Sequence, residues 1–255
     1  MISPILEKLC EGQNLSEEEI ELIFSSMMKG ELSDIQSSSF LTALKIKKPS
    51  ADEIFFASNV LLKNLDDVPN HSMELLDLCG TGGDSKSTLN VSTISSLLLA
   101  SLGIKIAKHG NRSVSSKVGS ADLIEKLGLS MDVDLNESLS SIKNTNFSFL
   151  FAPNFHKSMK NVSHIRKDLK MRTIFNILGP LVNPLRPKSQ IMGVYDIELV
   201  PIMAKVLQKQ GVKNALVVHG LDGMDEISIC SKTFIAEVNG KEILEYEFNP
   251  EDYGF

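Results

Sequence analysis

The segment LLDLCGTGGDSKSTLNVST, residues 75–93, joins an apolar run to a glycine-rich loop and a series of polar residues. Residues 75–79 are mostly apolar, which predicts a buried strand. The glycines Gly80, Gly82 and Gly83 follow at once, and they permit backbone angles and close approaches that other residues resist. The polar residues after them lead into SSLLLASLG, an apolar run of helical length. A strand, a glycine loop and a helix N-terminus in this order gather backbone N–H groups around an anion.

The composition is that of an ordinary globular protein and excludes several classes. The chain has 255 residues, 42% of them hydrophobic, and a net charge of −6, whereas general nucleic-acid binders are usually basic. The three cysteines are far apart and lack CxxC spacing, which argues against a disulfide scaffold or a zinc site and favours a reducing compartment. No secretory signal or bilayer-spanning run is visible. We therefore expect a cytoplasmic protein that binds neither nucleic acid nor membrane.

The chain divides into a helical part, residues 1–70, and an α/β part, residues 71–255, with a candidate linker at 64–72. Capping signals at Ser16 and Ser50 begin helices in the first part, and an apolar stripe between them predicts core. The stripe consists of Ile20, Ile23, Phe24, Met27 and Met28.

In the α/β part, short apolar runs alternate with helical ones. Strands are predicted at 75–79, 104–107, 147–152, 191–195 and 215–219, and helices at 92–102, 121–127, 157–169 and 198–210. Residues 227–248 predict a β-hairpin with its turn at Asn239 and Gly240. We expect an α/β fold, with a mainly parallel sheet and helices on both faces, plus a smaller N-terminal helical domain.

Two polar clusters follow predicted strands. In the glycine loop, Asp84 could hold a ribose hydroxyl or a metal-bound water, and Asn90, Ser92 and Thr93 could bond phosphate oxygens at the helix start. The second cluster, KHGNRSVSSKVGSADLIEKLG at 108–128, concentrates cations and hydroxyls in an acidic protein, which favours an anion with several charges. The alternatives are a plain tight turn for the first cluster and a solvated basic loop for the second.

Two further clusters carry charged side chains. VVHGLDGMDEIS at 217–228 places Asp222, Asp225 and Glu226 after a strand, as oxygen ligands for Mg²⁺ or as a solvated acidic turn. In the fourth cluster, Arg166 and Arg172 could each form a two-pronged bond to a carboxylate, although most surface arginines do not. Open α/β sheets bind ligands beyond the carboxyl ends of their strands, so we expect these clusters to form one site.

The motifs GTGGD with NVST, KHGNRSVSSKVGSADLIEKLG, RTIFNILGPLVNP and HGLDGMDE resemble, in this order, the anthranilate phosphoribosyltransferase family. The resemblance covers the whole chain. It implies transfer of phosphoribose from phosphoribosyl pyrophosphate (PRPP) to the amine of anthranilate, with Mg²⁺ and release of pyrophosphate, in L-tryptophan biosynthesis. It also implies that a later helical segment, near 157–190, joins the N-terminal helical domain, and that the protein is a homodimer through this domain.

The resemblance also implies a role for individual residues. Anthranilate would be held by Gly80, Asn111 and Arg166, and Mg²⁺ by Ser92, Asp225 and Glu226. Lys108 and Asp84 would act electrostatically, and no residue is assigned as a general base. The residues that would hold PRPP are Gly80, Gly83, Asp84, Thr88, Asn90, Val91, Ser92, Thr93, Lys108, His109, Gly110, Asn111, Arg112, Ser113, Val114, Ser115, Ser116 and Ser120.

Two departures from the family pattern affect these expectations. Family members usually run on past the length of this chain, so we expect its sheet to lack their later strands and helices. Lys170 stands where the family commonly has glycine, which changes the loop near Arg166. Two other functions are therefore retained as alternatives, a nucleoside phosphorylase that transfers ribose to inorganic phosphate, and a ligand-binding protein that has lost turnover.

Overall fold

The structure, a computed structural model, describes residues 2–65, 68–83, 89–112 and 119–255. It contains two compact units. The helical unit comprises Met1–Asp66 and Phe155–Val182, and the α/β unit comprises Asp67–Asn154 and Asn183–Phe255.

The elements alternate as the sequence predicts. The helices are α1 Ser3–Cys10, α2 Glu17–Lys29, α3 Asp34–Lys47, α4 Ala51–Lys63, α5 Val91–Ser101, α6 Ser120–Lys126, α7 Leu135–Thr145, α8 Ala152–Phe155, α9 Lys160–Leu169, α10 Phe175–Leu178 and α11 Leu199–Lys209. The strands are β1 Leu76–Gly80, β2 Ile106–Gly110, β3 Phe147–Phe151, β4 Ser189–Gly193, β5 Asn214–Gly220, β6 Thr233–Asn239 and β7 Glu242–Phe248. No described helix is both long and apolar enough to cross a bilayer.

Helices α2 and α4 of the helical unit begin where the capping signals predict. The Ser16 hydroxyl accepts the Glu19 N–H at 3.3 Å, and the Glu19 carboxylate accepts the Ser16 N–H at 2.9 Å, so both halves of a capping box are present. Ser50 makes the same box with Glu53. Gly30 ends α2 with a φ of 74°, a left-handed angle that glycine adopts without strain.

The predicted apolar stripe is the core of the helical unit. All five of its side chains are buried. The ring of Phe24 meets that of Phe40 edge-on, with centroids 5.9 Å apart, and that of Phe175 at 5.7 Å. Aromatic pairs prefer such geometry, and each adds about 0.5–1.5 kcal/mol beyond its burial.

The α/β unit is built on one seven-stranded sheet with the order β3-β2-β1-β4-β5-β6-β7. The strands β1 to β5 run parallel, whereas β6 and β7 add an antiparallel hairpin at one edge. From β1 the chain steps outward to β2 and β3, but from β4 it steps the other way to β5. Because such crossovers are right-handed, α5 and α11 lie on opposite faces of the sheet. The predicted fold class and the predicted hairpin are confirmed.

One local prediction was wrong, and one helix was not predicted. The second strand was predicted at 104–107 but runs from Ile106 to Gly110, which places Lys108 and His109 in the sheet instead of in a solvated loop. Helix α7 was not predicted, although Asp134 caps it by accepting the N–H groups of Asn136 and Glu137. A polar helix with few apolar positions gives only a weak periodic signal.

Candidate active site

The candidate site lies at the carboxyl edge of the sheet in the α/β unit. The strands β1, β2, β4 and β5 each end in a glycine there, namely Gly80, Gly110, Gly193 and Gly220. Each of these glycines has another group close to the position where a Cβ atom would lie. At Gly80, Gly193 and Gly220 the close group belongs to the loop after β5, which therefore approaches the end of the sheet more closely than side chains would allow, whereas at Gly110 it is the Phe149 ring of β3.

The glycine loop after β1 is held by hydrogen bonds to the end of β4 and to the acidic loop after β5. Gly82 and Gly83 have φ angles of 65° and 84°, which explains the glycines, since other residues rarely adopt them. The Thr81 N–H donates to the carbonyl of Gly193 at 2.9 Å. The Gly82 N–H donates to Oδ2 of Asp225 at 2.8 Å. The loop was expected to offer free amides to an anion, but in the structure these two amides already have protein acceptors.

The acidic loop after β5 owes its position to backbone packing. A Cβ atom on Gly193 would lie 1.6 Å from the carbonyl oxygen of Asp225, so only glycine permits this approach. Asp222, a candidate Mg²⁺ ligand from sequence, instead shapes the loop. It accepts the hydroxyl of Ser228 at 2.7 Å and the N–H of Met224 at 3.2 Å. Asp225 reaches the glycine loop, and the negative charge of Glu226 acts on Lys108, a buried lysine of β2.

The side chain of Lys108 is only 1% exposed. Its ammonium group donates to the carbonyl of Leu78 and, at 3.1 Å, to the hydroxyl of Ser92. Burial lowers its pKa, while the nearby negative charge of Asp77 opposes that shift. Asp77 is fully buried, and burial raises its pKa to about 6, against the effects of Lys108 and of its own hydrogen bonds.

The N-terminus of α5 brings the NVST residues to this edge. Asn90 caps the helix, with its Oδ1 accepting the Thr93 N–H at 3.3 Å and the Ser120 hydroxyl at 3.5 Å. Val91 begins the helix. The Thr93 side chain is buried, and within the described residues its hydroxyl has no hydrogen-bond partner. The Ser92 and Ser120 hydroxyls therefore lie on two helix starts that Asn90 connects.

After β2, the described part of the second cluster is held against α6. The Asn111 carbonyl accepts the Ala121 N–H at 3.3 Å, and its side-chain oxygen accepts the Arg112 N–H. Arg112 forms ion pairs with Asp122 at 2.6 Å and with Glu125 at 2.9 Å. These two partners raise the pKa of Arg112. Its charge is therefore shared with protein carboxylates in this structure.

Some of the predicted site residues fall outside the described residues. They are Asp84, Thr88, Ser113, Val114, Ser115 and Ser116. Arg166 belongs to the helical unit, where it lies on α9. Its guanidinium carbon is 5.5 Å from the centre of the Phe175 ring, and burial lowers its pKa. No ion pair to Arg166 occurs within the described part of the chain.

The residues expected to hold Mg²⁺ fit that ion by their chemistry. Among the described residues, no group of three or more His, Cys, Asp or Glu side chains could hold a metal by itself. Mg²⁺ does not need such a group, because it usually binds one or two carboxylates, several waters and substrate phosphates. Asp225 supplies a carboxylate at the glycine loop, Glu226 a second one beside it, and Ser92 a hydroxyl.

Three residues at this edge were missed by the sequence analysis. Asn183 donates its amide to Asp77 at 2.9 Å and to the carbonyl of Ala107 at 2.8 Å, and it is buried. Gly193 permits the close approach of the acidic loop to the end of β4. The available signal for Asp77 was a charged residue within a predicted apolar strand, and for Gly193 a glycine within the predicted strand 191–195. Asn183 lies in the quoted segment RTIFNILGPLVNP, but nothing local in that segment marks this asparagine.

Comparison with known proteins identifies the class first. The model of the α/β domain of the glycosyl transferase family matches residues 72–255, and the model of its helical bundle domain matches residues 3–64. The first of these ranges also includes Phe155–Val182, which the structure places in the helical unit. The chain therefore belongs to the glycosyl transferase family and contains its helical bundle domain and its α/β domain.

The relatives are more specific. The chain is 46% identical to the anthranilate phosphoribosyltransferase of Persephonella marina over 255 residues, all of this chain and 75% of that protein. It is 44% identical to the Acetivibrio thermocellus enzyme of the same name over 254 residues, 100% of this chain and 74% of that protein. The chain therefore belongs to the anthranilate phosphoribosyltransferase family.

Solved structures of this family have the same fold. The Thermus thermophilus enzyme superposes with a TM-score of 0.89 at 37% identity, covering 98% of this chain and 74% of that one. The Saccharomyces cerevisiae enzyme, in complex with PRPP and Mg, gives a TM-score of 0.85 at 32% identity, covering 98% and 73%. Another structure of the yeast enzyme, in complex with 4-fluoroanthranilate, gives 0.86 at 31% identity, covering 98% and 72%. The present chain spans about three quarters of these relatives.

Proposed function

We propose that this chain is a Mg²⁺-dependent pentosyltransferase that transfers phosphoribose from PRPP to the amine of anthranilate. The reaction releases pyrophosphate and is a step in L-tryptophan biosynthesis. Family membership supports the assignment, as do the yeast relatives in complex with PRPP and Mg and with 4-fluoroanthranilate.

One structural observation carries the proposal for this chain. The Asp225 carboxylate reaches 143 positions along the sequence to accept the Gly82 N–H. A glycine loop, two adjacent carboxylates and a buried ammonium group thus meet at the carboxyl ends of neighbouring parallel strands. Ligands of open α/β sheets bind at such an edge. A substrate with several phosphates needs positive and hydroxyl donors together with a cation held by acidic groups, and this edge offers the Lys108 ammonium, the Ser92 hydroxyl and the carboxylate of Asp225.

The residues proposed to hold PRPP come from the strand ends and helix starts of the α/β unit. They are Gly80, Gly83, Asn90, Val91, Ser92, Thr93, Lys108, His109, Gly110, Asn111, Arg112 and Ser120, together with Asp84, Thr88, Ser113, Val114, Ser115 and Ser116 outside the described residues. Support comes from the buried Thr93 hydroxyl, which no described residue bonds. Arg112 would have to share its guanidinium between Asp122, Glu125 and a phosphate.

Mg²⁺ is proposed to lie near Ser92, Asp225 and Glu226. When bound, the ion would neutralise the negative charge that develops on the departing pyrophosphate. The chain's own part is to hold these oxygen atoms in place before the substrate arrives. The Ser92 oxygen is fixed by the Lys108 ammonium, and the Asp225 carboxylate by the Gly82 N–H. Preorganised groups of this kind need no rearrangement as charge develops.

Anthranilate is proposed to bind through Gly80, Asn111 and Arg166. Its carboxylate matches a planar guanidinium, which can form two parallel hydrogen bonds to it. The half-buried Arg166, lying on an aromatic ring and without an ion-pair partner among the described residues, is suited to this role. The bond between ribose C1 and pyrophosphate breaks as C1 bonds to nitrogen, which then loses a proton. Since an aromatic amine is uncharged at neutral pH, a strong general base is not required.

The test is a fluorescence assay of anthranilate consumption with PRPP and Mg²⁺. We expect pyrophosphate release that depends on anthranilate. Phosphate-dependent cleavage of a nucleoside, without anthranilate consumption, would instead favour a nucleoside phosphorylase. If there is no turnover but calorimetry still shows PRPP binding, the result would favour a ligand-binding protein that has lost catalysis.

The metal assignment has a separate test in the double variant Asp225→Ala with Glu226→Ala. We expect the Mg²⁺-dependent rate to fall at least about tenfold, roughly 1.4 kcal/mol or more of lost transition-state stabilisation. The circular dichroism spectrum should stay unchanged, since both residues lie in a loop. The control is Asp196→Ala with Glu198→Ala, in the loop after β4. A double variant that keeps full Mg²⁺-dependent turnover would contradict the assignment of Mg²⁺ to Asp225 and Glu226.

We also propose a homodimer through the helical unit and a cytoplasmic location. Helices α1 and α3 border an open groove lined partly by Leu9, Thr42 and Ala43, and α3 exposes Ile35 by 80% and Ile46 by 78%. Light scattering after gel filtration should give a dimer mass, and Ile35→Lys with Ile46→Lys a monomer. Leu244→Lys, on an exposed leucine of β7, is the control.

The three cysteines are free, as a reducing cytoplasm requires.

A further inference from the structure

The backbone pairing between β1 and β2 stops before their carboxyl ends. β1 pairs with β4 at five positions, from Leu76 to Gly80, and β2 pairs with β3 at five, from Ile106 to Gly110. Between β1 and β2 only Leu76 and Ile106 are paired. Both strands lie wholly within the described residues. The loss of residue pairing is therefore confined to β1 and β2.

Side chains take the place of the missing ladder bonds. If the parallel register continued, the His109 N–H would donate to the Leu78 carbonyl. Instead, the His109 N–H donates to Oδ1 of Asp77 at 3.2 Å, and the Leu78 carbonyl accepts from the Lys108 ammonium. The Ala107 carbonyl, which would accept the Leu78 N–H in a continued ladder, accepts the amide of Asn183 at 2.8 Å.

Three polar side chains therefore take up backbone groups that would otherwise pair the two strands, and two of them, Asp77 and Asn183, also bond each other. Asn183 donates to Oδ2 of Asp77 at 2.9 Å, while its own oxygen accepts the Leu185 N–H at 3.0 Å. All three side chains are buried. Removing charges from water costs several kcal/mol per ion, by order of magnitude, whereas a plain backbone ladder would have satisfied the same groups without that cost. A role in stabilising the fold therefore does not explain why charged residues occupy these positions.

The separated strand ends carry the two loops of the candidate site. The glycine loop follows β1 directly, and Asn111 and Arg112 follow β2. Lys108 also connects the opening to the Ser92 hydroxyl on α5. A continued ladder would draw the first residues of both loops together, to the spacing of paired strands, about 4.8 Å.

We propose that Asp77, Lys108 and Asn183 form a wedge that keeps β1 and β2 apart and so sets the gap between the two loops in which the phosphoribosyl substrate binds. Asp77 and Asn183 are positioning residues, acting through the strand ends and through Lys108. The inference rests on the proposed function, because it takes PRPP as the ligand of the gap.

The test compares PRPP binding by calorimetry at saturating Mg²⁺ with thermal stability. Asp77→Asn places an amide against the Asn183 amide, and Asn183→Ala removes the support of Asp77. We expect both to raise the dissociation constant for PRPP at least tenfold. The matched control is Gln190→Met, which removes a buried bond to Cys79 on the side of β1 where pairing is complete. This control should lower the melting temperature but leave the dissociation constant within twofold of the unmodified chain.

Folded single variants that bind PRPP as tightly as the control overturn the wedge. If Asp77→Asn does not fold, Asn183→Ala decides. An unmodified chain that binds no PRPP would instead refute the proposed function.

Discussion

The carbonyl oxygen of Asp225 lies 1.6 Å from the position that a Cβ atom would take on Gly193. The acidic loop therefore rests directly on the end of β4, and the side chain of Asp225 can reach the glycine loop after β1. Because only glycine permits this contact, Gly193 helps to determine the position of the proposed metal site.

Gly193→Ala tests this contact. The added methyl group cannot fit beneath the loop, so Asp225 must move away from Gly82. We expect Mg²⁺-dependent PRPP binding to weaken about tenfold or more, about 1.4 kcal/mol, and calorimetry measures it. Gly179→Ala, with no atom within 4 Å of the added carbon, is the control and should bind normally. Unchanged binding by Gly193→Ala would show that the loop position does not matter for the substrate.

Arg166→Ala tests the anthranilate assignment. A charge-assisted pair contributes roughly 1.5–3 kcal/mol, so the Michaelis constant for anthranilate should rise roughly ten- to hundredfold. The constant for PRPP should change much less. Steady-state kinetics with each substrate varied in turn measures both, and Lys167→Ala, a cation next to it on α9, is the control. Equal effects on both constants would contradict the assignment.

Glu53→Ala tests a buried ion pair in the helical unit. The Glu53 side chain is 0% exposed, and it accepts from the Lys47 ammonium at 2.7 Å, the Ser50 N–H and the Leu15 N–H at 3.0 Å. Removing it leaves a buried ammonium and two amides without their acceptor, which should cost about 3–5 kcal/mol. Urea unfolding measures the loss. The exposed pair of Glu21 and Lys63 provides the control, since Glu21→Ala should change stability little.

Lys170→Gly should stabilise the chain. Lys170 ends α9 with φ 47° and ψ 30°, a left-handed conformation that costs about 1–2 kcal/mol for a residue with a Cβ atom. Glycine removes this strain but gains more freedom in the unfolded chain, so we expect a net gain of about 0.5–1 kcal/mol in urea unfolding. The same change inside the helix, Lys167→Gly, should instead cost about 1 kcal/mol. Equal destabilisation by both changes would contradict the strain.

His156 should make stability depend on pH. Burial lowers its pKa from the usual 6.5, and its Nε2 contacts the Val182 carbonyl at 2.9 Å. The unfolded chain then takes up the proton more readily, so the stability that His156 contributes at neutral pH is lost as pH falls below about 6.5. The difference in unfolding free energy between the unmodified chain and His156→Gln should shrink by up to about 1.4 kcal/mol per pH unit. A difference that stays constant between pH 7.5 and 5.5 would mean that His156 does not titrate in this way.

Much of the fold was predictable because its signals are local. The capping boxes at Ser16 and Ser50, the glycine that ends α2, and the turn at Gly240 each depend on residues a few positions apart. The alternation of strands and helices follows from side-chain periodicity, which the sequence displays directly. The limits of β2 were misplaced because Lys108 and His109 are polar residues in a buried strand, where tertiary contacts override the local pattern.

The candidate site was predictable in its residue types but not in its contacts. Glycine, hydroxyl and acidic clusters after strands identified the loops and the kind of ligand. Only the tertiary structure brought Asp225 to Gly82, showed that Asp222 shapes its own loop, and placed Asn183 between β1 and β2. The sequence determined which segments become strands, helices and polar loops, since those depend on neighbouring residues. Contacts between residues over a hundred positions apart depend on strand order and on close backbone approach, which exist only once the chain is folded.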